Sequence, residues 1–352
     1  MKKTNLRRVF IFLSLTFSLS WGFDWLFIYF SGSDPYLDLG MNPWGMLVPA
    51  FVALFLQMYF FKDSPIYHKT YKEKPRWLFY GFFALTIVYG GILFTAAFSS
   101  GSKQIFQGIG ALLFTLWTLL IFFIYGQSKK GSFERAGLSM GRIKIGVRFI
   151  VGIILFFLLQ AVLNLTFNLG DCIGQNEKIF NLPIPSNLYV PALIILFILV
   201  AVIGVPLSSL AGVFGEEYGW RGFLQSELIK KGKLTGVILV GIIWGVWHFP
   251  IILRGVHTYP PSLLGLFLGV TFFTLWGIIQ GYAVIKTGSI WVAAFMHGVV
   301  NSVYSFSLTY IVKPESKVYS FGLGIYGLIF LGIIVGFILM DPIWKSKRVR
   351  EN

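Results

Sequence analysis

Long apolar runs are the feature that most constrains what this chain can fold into. They recur along almost all of its 352 residues, of which 56% are hydrophobic and only 12% are charged. A soluble domain could not cover so much apolar surface, and a run of about 20 apolar residues is what one α-helix needs to cross a bilayer. The sequence therefore predicts an all-α, polytopic helical membrane protein.

The apolar runs divide the chain into about ten predicted transmembrane helices. They lie at residues 9–31, 43–61, 77–98, 105–125, 146–169, 191–214, 235–252, 263–285, 290–310 and 323–341. The first run lacks a small-residue cleavage site, so we expect a retained signal anchor. Within it, Asp24 is expected to be an interfacial carboxylate between two tryptophans, with pairing inside the bundle as the alternative.

The basic residues predict the orientation. With the N-terminus in the cytoplasm, 24 of the 29 Lys and Arg residues lie on the inner side and 5 lie in outer loops. This asymmetry is the positive-inside bias, so both termini are expected to be cytoplasmic. Topology and attraction to anionic membrane lipids then account for the net charge of +15. No basic motif interleaved with aromatic residues indicates a nucleic-acid partner.

A basic loop at 127–144 is the best candidate for a boundary. It separates a four-helix region, 1–144, whose role the sequence does not indicate, from a six-helix region, 145–352. The second region carries nearly all of the polar residues that fall inside predicted spans. The charge bias and the lack of an organelle signal fit the cytoplasmic membrane of a bacterium, with the endoplasmic reticulum as a second possibility.

The stretch GEEYGWRG, 215–222, places two glutamates and an arginine inside the membrane. Ionisable residues are costly there, so each is a functional candidate. Glu217 and Arg221 are four residues apart on one helix face and can pair. Glu216 points about 100° away and is free to act as a general base. The helix from 191 to 231 is too long for one straight span, and we expect Gly204-Val205-Pro206 to break it.

Two further motifs follow on later helices, His248 in WGVWHFP and His297 with Asn301 in HGVVN. At about 1.5 Å per residue, the motif residues of all three helices lie at a similar depth. His297 and Asn301 are four residues apart and present two side-chain donors, a pair that suits an oxyanion. Gln280, another polar residue inside a span, is expected to make a helix–helix hydrogen bond.

In this order, the three motifs resemble those of the CPBP family, the CAAX-protease and bacteriocin-processing proteins, also called Abi or type II CAAX prenyl endopeptidase-like. The first family motif is two glutamates, three residues and an arginine, which this chain has at 216–221. The second is Phe with His four places on, and here Trp244 replaces the Phe before His248. The third is the His297–Asn301 pair. The resemblance covers about 190–310, and the Trp replacement puts the shape of the pocket in question more than its chemistry.

The resemblance implies an intramembrane glutamic endopeptidase without a cofactor. Glu216, helped by His248, would activate a water molecule, while His297 and Asn301 would stabilise the tetrahedral oxyanion. The second glutamate and the arginine of the first motif would orient the site. Eukaryotic members of the family remove the last three residues of prenylated CAAX proteins, and many bacterial members are linked to bacteriocin immunity or peptide processing. The expected partner is a peptide or lipidated protein.

Three other interpretations stay open from the sequence. In a zinc peptidase, Glu216, His248 and His297 would be metal ligands, although the chain has no HExxH motif. In a scaffold or immunity protein, the same residues would bind a peptide without cutting it. In a proton-coupled transporter, Glu and His would relay protons, but the lack of an internal repeat disfavours that interpretation.

Overall fold

A computed structural model describes residues 4–31, 43–98, 103–173, 186–255 and 258–346. The described chain is helical apart from short loops and one small ribbon of two strands. The all-α expectation is therefore confirmed, with that ribbon as an addition.

The first region forms four long helices and one short one. They are α1 Leu6–Ser31, α2 Pro43–Phe55 with a π-helical extension Leu56–Phe60, α3 Arg76–Ala97, α4 Lys103–Gln127 and α5 Ser132–Arg135. These bounds lie within a few residues of the four spans predicted there.

The second region contains the remaining helices, several of them interrupted. They are α6 Ile143–Thr166, α7 Ser186–Leu196 with a π-helical extension Phe197–Gly204, α8 Val205–Ser208, α9 Leu210–Glu217 followed by a π-helix Tyr218–Leu224, α10 Gln225–Leu228, α11 Lys233–Trp247, α12 Phe249–Leu253, α13 Leu263–Thr287, α14 Ile290–Tyr310, α15 Ile325–Leu339 and a 3₁₀ turn Pro342–Trp344.

Five helices of the described chain are long and apolar enough to cross a membrane. They are Leu6–Phe30, Arg76–Ala96, Ile105–Gln127, Ile143–Thr166 and Leu263–Thr287. Shorter apolar helices lie at Trp44–Phe60, Pro191–Gly204, Lys233–Trp247 and Ile325–Leu339. The protein is therefore a polytopic membrane protein, while the number of ten spans and the cytoplasmic position of both termini stay predictions.

The helix that leads to the two glutamates is interrupted at a different place from the predicted one. The chain continues as a π-helix to Gly204 and as α8 to Ser208, and the turn comes at Ser209. The predicted break at Gly204-Val205-Pro206 is therefore wrong. Pro206 falls in the first turn of α8, where its missing N–H is tolerated. A Cβ added at Gly204 would lie 2.9 Å from the Leu199 oxygen, so the wide turn itself requires glycine there.

A short ribbon ties the end of α6 to the end of α14. Strand β1, Gly170–Cys172, pairs antiparallel with β2, Val312–Pro314. The sequence predicts an irregular loop over 170–190. The structure corrects this for 170–172, which form β1, and for 186–190, which begin α7, while 174–185 lies outside the described residues. A Cβ at Gly170 would lie 2.7 Å from the Lys313 oxygen, so the two strands approach closely because Gly170 has no side chain.

Asp24 takes the alternative that the sequence left open. Its Oδ2 lies 2.9 Å from Nη2 of Arg254, and the side chains of both residues are largely buried. The pair joins α1 to the segment after α12. Asp24 is therefore an ion-pair partner inside the bundle, because a basic residue distant in sequence reaches it. Its position at the membrane interface stays a prediction.

Helices α11 and α13 pack at backbone distance through glycines. A Cβ added at Gly241 would lie 2.7 Å from the Thr274 Cα, and one at Gly277 would lie 2.9 Å from the Gly241 Cα. Gly245 approaches the Val270 Cα in the same way. Small residues let membrane helices come this close, and the gain is van der Waals contact because lipid supplies no hydrophobic drive between helices.

We predict that Gly241→Val separates α11 from α13 and lowers stability by about 1–3 kcal/mol, the usual cost of overpacking. The matched control is Gly336→Val, since a Cβ at Gly336 meets nothing within 4 Å. Thermal unfolding of the two variants in the same detergent is the measurement. Equal melting temperatures would contradict the close glycine packing.

Candidate active site

The two glutamates end α9 at a place where the helix is pressed against α2. Glycines 215 and 219, one on each side of the pair, face the α2 backbone at Met46 and Pro49, where no side chain would fit. Immediately after Glu217 the chain changes to the π-helix. The GEEYGWRG stretch thus fixes its carboxylates at a tight helix contact.

Glu217 lies at the centre of a buried polar network. Its Oε1 accepts hydrogen bonds from Arg221 Nη1 at 3.2 Å, Gln280 Nε2 at 3.1 Å and His297 Nδ1 at 2.9 Å. Its Oε2 is in ion-pair contact with the same Arg221 nitrogen at 3.1 Å, and both side chains are fully buried. The pairing expected from the spacing is thus present, and it compensates the charge that burial would otherwise leave unpaired.

Gln280 connects this network to two other helices. Its Oε1 accepts from Arg221 Nη2 at 2.7 Å, and its Nε2 also donates to the Ala293 oxygen at 3.2 Å. The helix–helix hydrogen bond predicted for Gln280 is confirmed. Sequence reasoning missed that its partners are also the site arginine and Glu217, although an amide inside a span was the available signal.

Glu216 lies in a different environment from its neighbour. It is 3% exposed, and its Oε2 accepts one hydrogen bond, from Trp244 Nε1 at 2.7 Å. The part of the chain that the structure describes supplies no other hydrogen bond to this carboxylate. Two adjacent carboxylates therefore differ, because one has several partners including a cation and the other has a single neutral donor.

Trp244 is the residue that side chains of all three motifs contact. The Arg221 guanidinium lies over its ring at 4.2 Å from the centroid. The rings of His297 and His248 meet it edge-on, at 5.4 and 5.7 Å between centroids. The sequence pointed to Trp244 only as a change in pocket shape. Its hydrogen bond to Glu216 could not be predicted, since it depends on how two helices face each other.

His248 lies at the junction between α11 and α12. The predicted span 235–252 is therefore not continuous, because a new short helix begins at Phe249, with Pro250 in its first turn. The His248 Nδ1 lies 2.8 Å from the Trp244 carbonyl oxygen, and the ring stacks on Phe273 at 3.8 Å. A carbonyl oxygen can only accept, so Nδ1 of His248 carries a proton in this contact.

Asn301 is the predicted site residue that the structure does not bring into this network. It lies one turn after His297 on α14 and its side chain is exposed. Within the described ranges it makes no hydrogen bond. The other five predicted residues, Glu216, Glu217, Arg221, His248 and His297, are buried. They contact Trp244 or one another.

The arrangement can also be tested against the zinc interpretation. Among the residues that the structure describes, no three His, Cys, Asp or Glu side chains form a group that could hold a metal ion. Of the three ligands that this interpretation requires, Glu216 bonds to Trp244 through Oε2 and His297 bonds to Glu217 through Nδ1. Each of these two side chains keeps a second donor atom, so the zinc interpretation stays a prediction.

Comparison with known proteins agrees with the motifs. Residues 190–303 match the family model of Rce1-like proteins, the type II CAAX prenyl endopeptidases. A relative in Methanococcus maripaludis, CAAX prenyl protease 2, is 27% identical over 246 residues, which cover 66% of this chain and 84% of the relative. No solved structure matches. The motif-bearing part of the chain thus matches the Rce1-like membrane proteases, the CAAX prenyl endopeptidase family of hydrolases.

We predict that Arg221→Met destabilises the protein by about 3–5 kcal/mol, because it leaves the Glu217 charge buried without its cation. The control is Arg135→Ala, which breaks the bidentate contact with Glu73 at the surface, 2.6 and 3.1 Å long, where solvent screens the charges. Unfolding in detergent should separate the two variants clearly. If Arg221→Met lowered the free energy of unfolding by no more than the control does, the buried network would be contradicted.

Proposed function

We propose that this protein is an intramembrane endopeptidase that hydrolyses a peptide bond with a water molecule activated by Glu216. The observation that carries the proposal is the different surroundings of the two adjacent carboxylates. Glu217 is engaged by Arg221, Gln280 and His297, whereas Glu216 has one hydrogen bond on Oε2. A general base needs an oxygen that no protein donor occupies, and Glu216 Oε1 meets that requirement within the described chain.

The proposed reaction assigns one step to each of these groups. Glu216 takes a proton from the water, and the water oxygen attacks the scissile carbonyl carbon. The same proton then passes from Glu216 to the departing amine nitrogen. His248 is assigned to help hold the water, and the hydrogen bond from its Nδ1 to the Trp244 carbonyl oxygen orients the ring. One proton of the water thus passes through Glu216 to the amine, the OH group stays on the carbonyl carbon as part of the new carboxyl group, and no covalent enzyme intermediate forms.

His297 and Asn301 are assigned to the oxyanion. The Nδ1 of His297 is held by Glu217, which leaves Nε2 to face the substrate as a donor when the ring is protonated. Asn301 lies one helical turn away with an exposed amide, so it is accessible to a substrate that enters from the side of α14. Glu217 and Arg221 are positioning residues in this assignment, because they act through His297.

The substrate is proposed to be a membrane-associated peptide or lipidated protein. The chain is a polytopic membrane protein, and the name of the Methanococcus relative indicates a prenyl protease. A prenylated C-terminus is therefore the first substrate to test, with a bacteriocin-like peptide second. The proposed location is the cytoplasmic membrane of a prokaryotic cell, and the site is proposed to open toward the cytoplasm.

The test compares wild type with Glu216→Gln in matched host membranes, using mass spectrometry to identify released peptides and new protein termini. We predict cleavages with wild type that persist in EDTA and that fall at least 100-fold in the variant, since the general base is lost. Glu216→Gln keeps an oxygen that can accept from Trp244, so the variant should stay folded.

A farnesylated peptide ending in a CAAX sequence is assayed in parallel. Cleavage that disappears in EDTA would favour the zinc peptidase. Identical peptide sets from the two folded proteins, together with no cleavage of the farnesylated peptide, would contradict the protease proposal and favour a peptide-binding role.

A further inference from the structure

The indole of Trp244 holds Glu216 by one defined contact. Trp244 is 1% exposed, and an indole has a single donor and no acceptor. That donor, Nε1, lies 2.7 Å from Glu216 Oε2. A hydrogen bond to a carboxylate is shorter and stronger than one between neutral groups. The contact therefore fixes which of the two carboxylate oxygens is engaged.

The same ring keeps the site arginine on a different surface. The Arg221 guanidinium lies over the face of the indole, 4.2 Å from its centroid, while Glu216 bonds to the edge. Arg221 directs its hydrogen bonds to Glu217 and Gln280. Cation–π attraction holds a guanidinium on an aromatic face and so favours this arrangement. The edge of the Trp244 ring thus binds Glu216 directly, whereas its face holds Arg221, the partner of Glu217.

Trp244 also contacts the second motif, but through its backbone. Its carbonyl oxygen accepts from His248 Nδ1 at 2.8 Å. This contact is kept when the side chain is changed, whereas the hydrogen bond to Glu216 is not. A substitution at Trp244 can therefore test the Glu216 contact and leave the His248 hydrogen bond in place.

From these contacts we infer that Trp244 is a positioning residue, whose N–H fixes Glu216 Oε2 and leaves Oε1 as the atom that takes the proton from water. The inference rests on the proposed function for its catalytic consequence. A phenylalanine, which the family motif has at this position, could not make the contact. The catalytic glutamate of this chain is thus oriented by a donor that a Phe-containing motif lacks.

The first measurement needs no substrate. Replacement of the Trp244 indole by benzothiophene, using an unnatural amino acid, removes the N–H and keeps the ring, and Trp244→Phe is the second variant. Each is combined with Glu216→Leu in a double-mutant cycle of melting temperatures. Because both changes remove the same hydrogen bond, we expect the combined loss to fall short of the sum by about 2–4 °C.

The matched control is Trp276→Phe. Trp276 is also a buried tryptophan, and its Nε1 has no hydrogen-bond partner in the described chain. Its effect should add to that of Glu216→Leu without coupling. Additive losses in the Trp244 cycle as well would overturn the inference, since they would mean that the hydrogen bond does not form.

The second measurement is steady-state cleavage of the farnesylated peptide. Loss of the N–H should lower kcat by about 10- to 100-fold and change KM by less than about 2-fold, the pattern of an interaction that matters in the transition state. Trp276→Phe should keep the wild-type kcat. Unchanged kcat in both Trp244 variants, despite coupling in the cycle, would overturn the positioning role.

The two measurements separate failure of the inference from failure of the proposed function. If wild type cleaves neither the peptide nor any host protein, the protease proposal fails, and the thermal coupling alone decides whether Trp244 orients Glu216. If wild type is active and the coupling is absent, the protease proposal stands and the inference fails.

Discussion

The ion pair between Glu217 and Arg221, taken out of water inside a helical membrane protein, is the interaction on which the site depends. Both side chains are fully buried, and an unpaired charge there would be very costly. Gln280 and His297 add further hydrogen bonds to the pair. Gln280 lies on α13 and His297 lies on α14. The contacts that stabilise the Glu217 charge therefore also hold α9, α13 and α14 together.

Helix packing follows from the same requirement. Gly277 lies opposite Gly241, and a Cβ at that position would also come within 3.6 Å of the Arg221 guanidinium. The glycine contacts of α9 with α2 hold the glutamates from the other side. The first region, whose role the sequence did not indicate, thus contributes α2 as a support for the site. The division into 1–144 and 145–352 stays a prediction.

Much of this could be predicted from local sequence. Apolar runs located the helices to within a few residues, and the i,i+4 spacing of Glu217 and Arg221 correctly indicated their pair. What failed were details that depend on tertiary contacts. The π-helical turns moved the helix interruption to Ser209, and His248 lies at a junction. Neither Asp24–Arg254 nor Trp244–Glu216 could be predicted, since each joins residues far apart in sequence.

The central claim is that adjacent glutamates have different tasks, one in chemistry and one in structure. The most direct test is thermal unfolding of Glu216→Gln and Glu217→Gln, side by side in one detergent at one pH. Gln at 216 still accepts from Trp244, so we predict a melting temperature close to that of wild type. Gln at 217 leaves Arg221 buried without its counter-ion, so we predict a large decrease. Equal decreases in both variants, or the larger one at 216, would contradict the account.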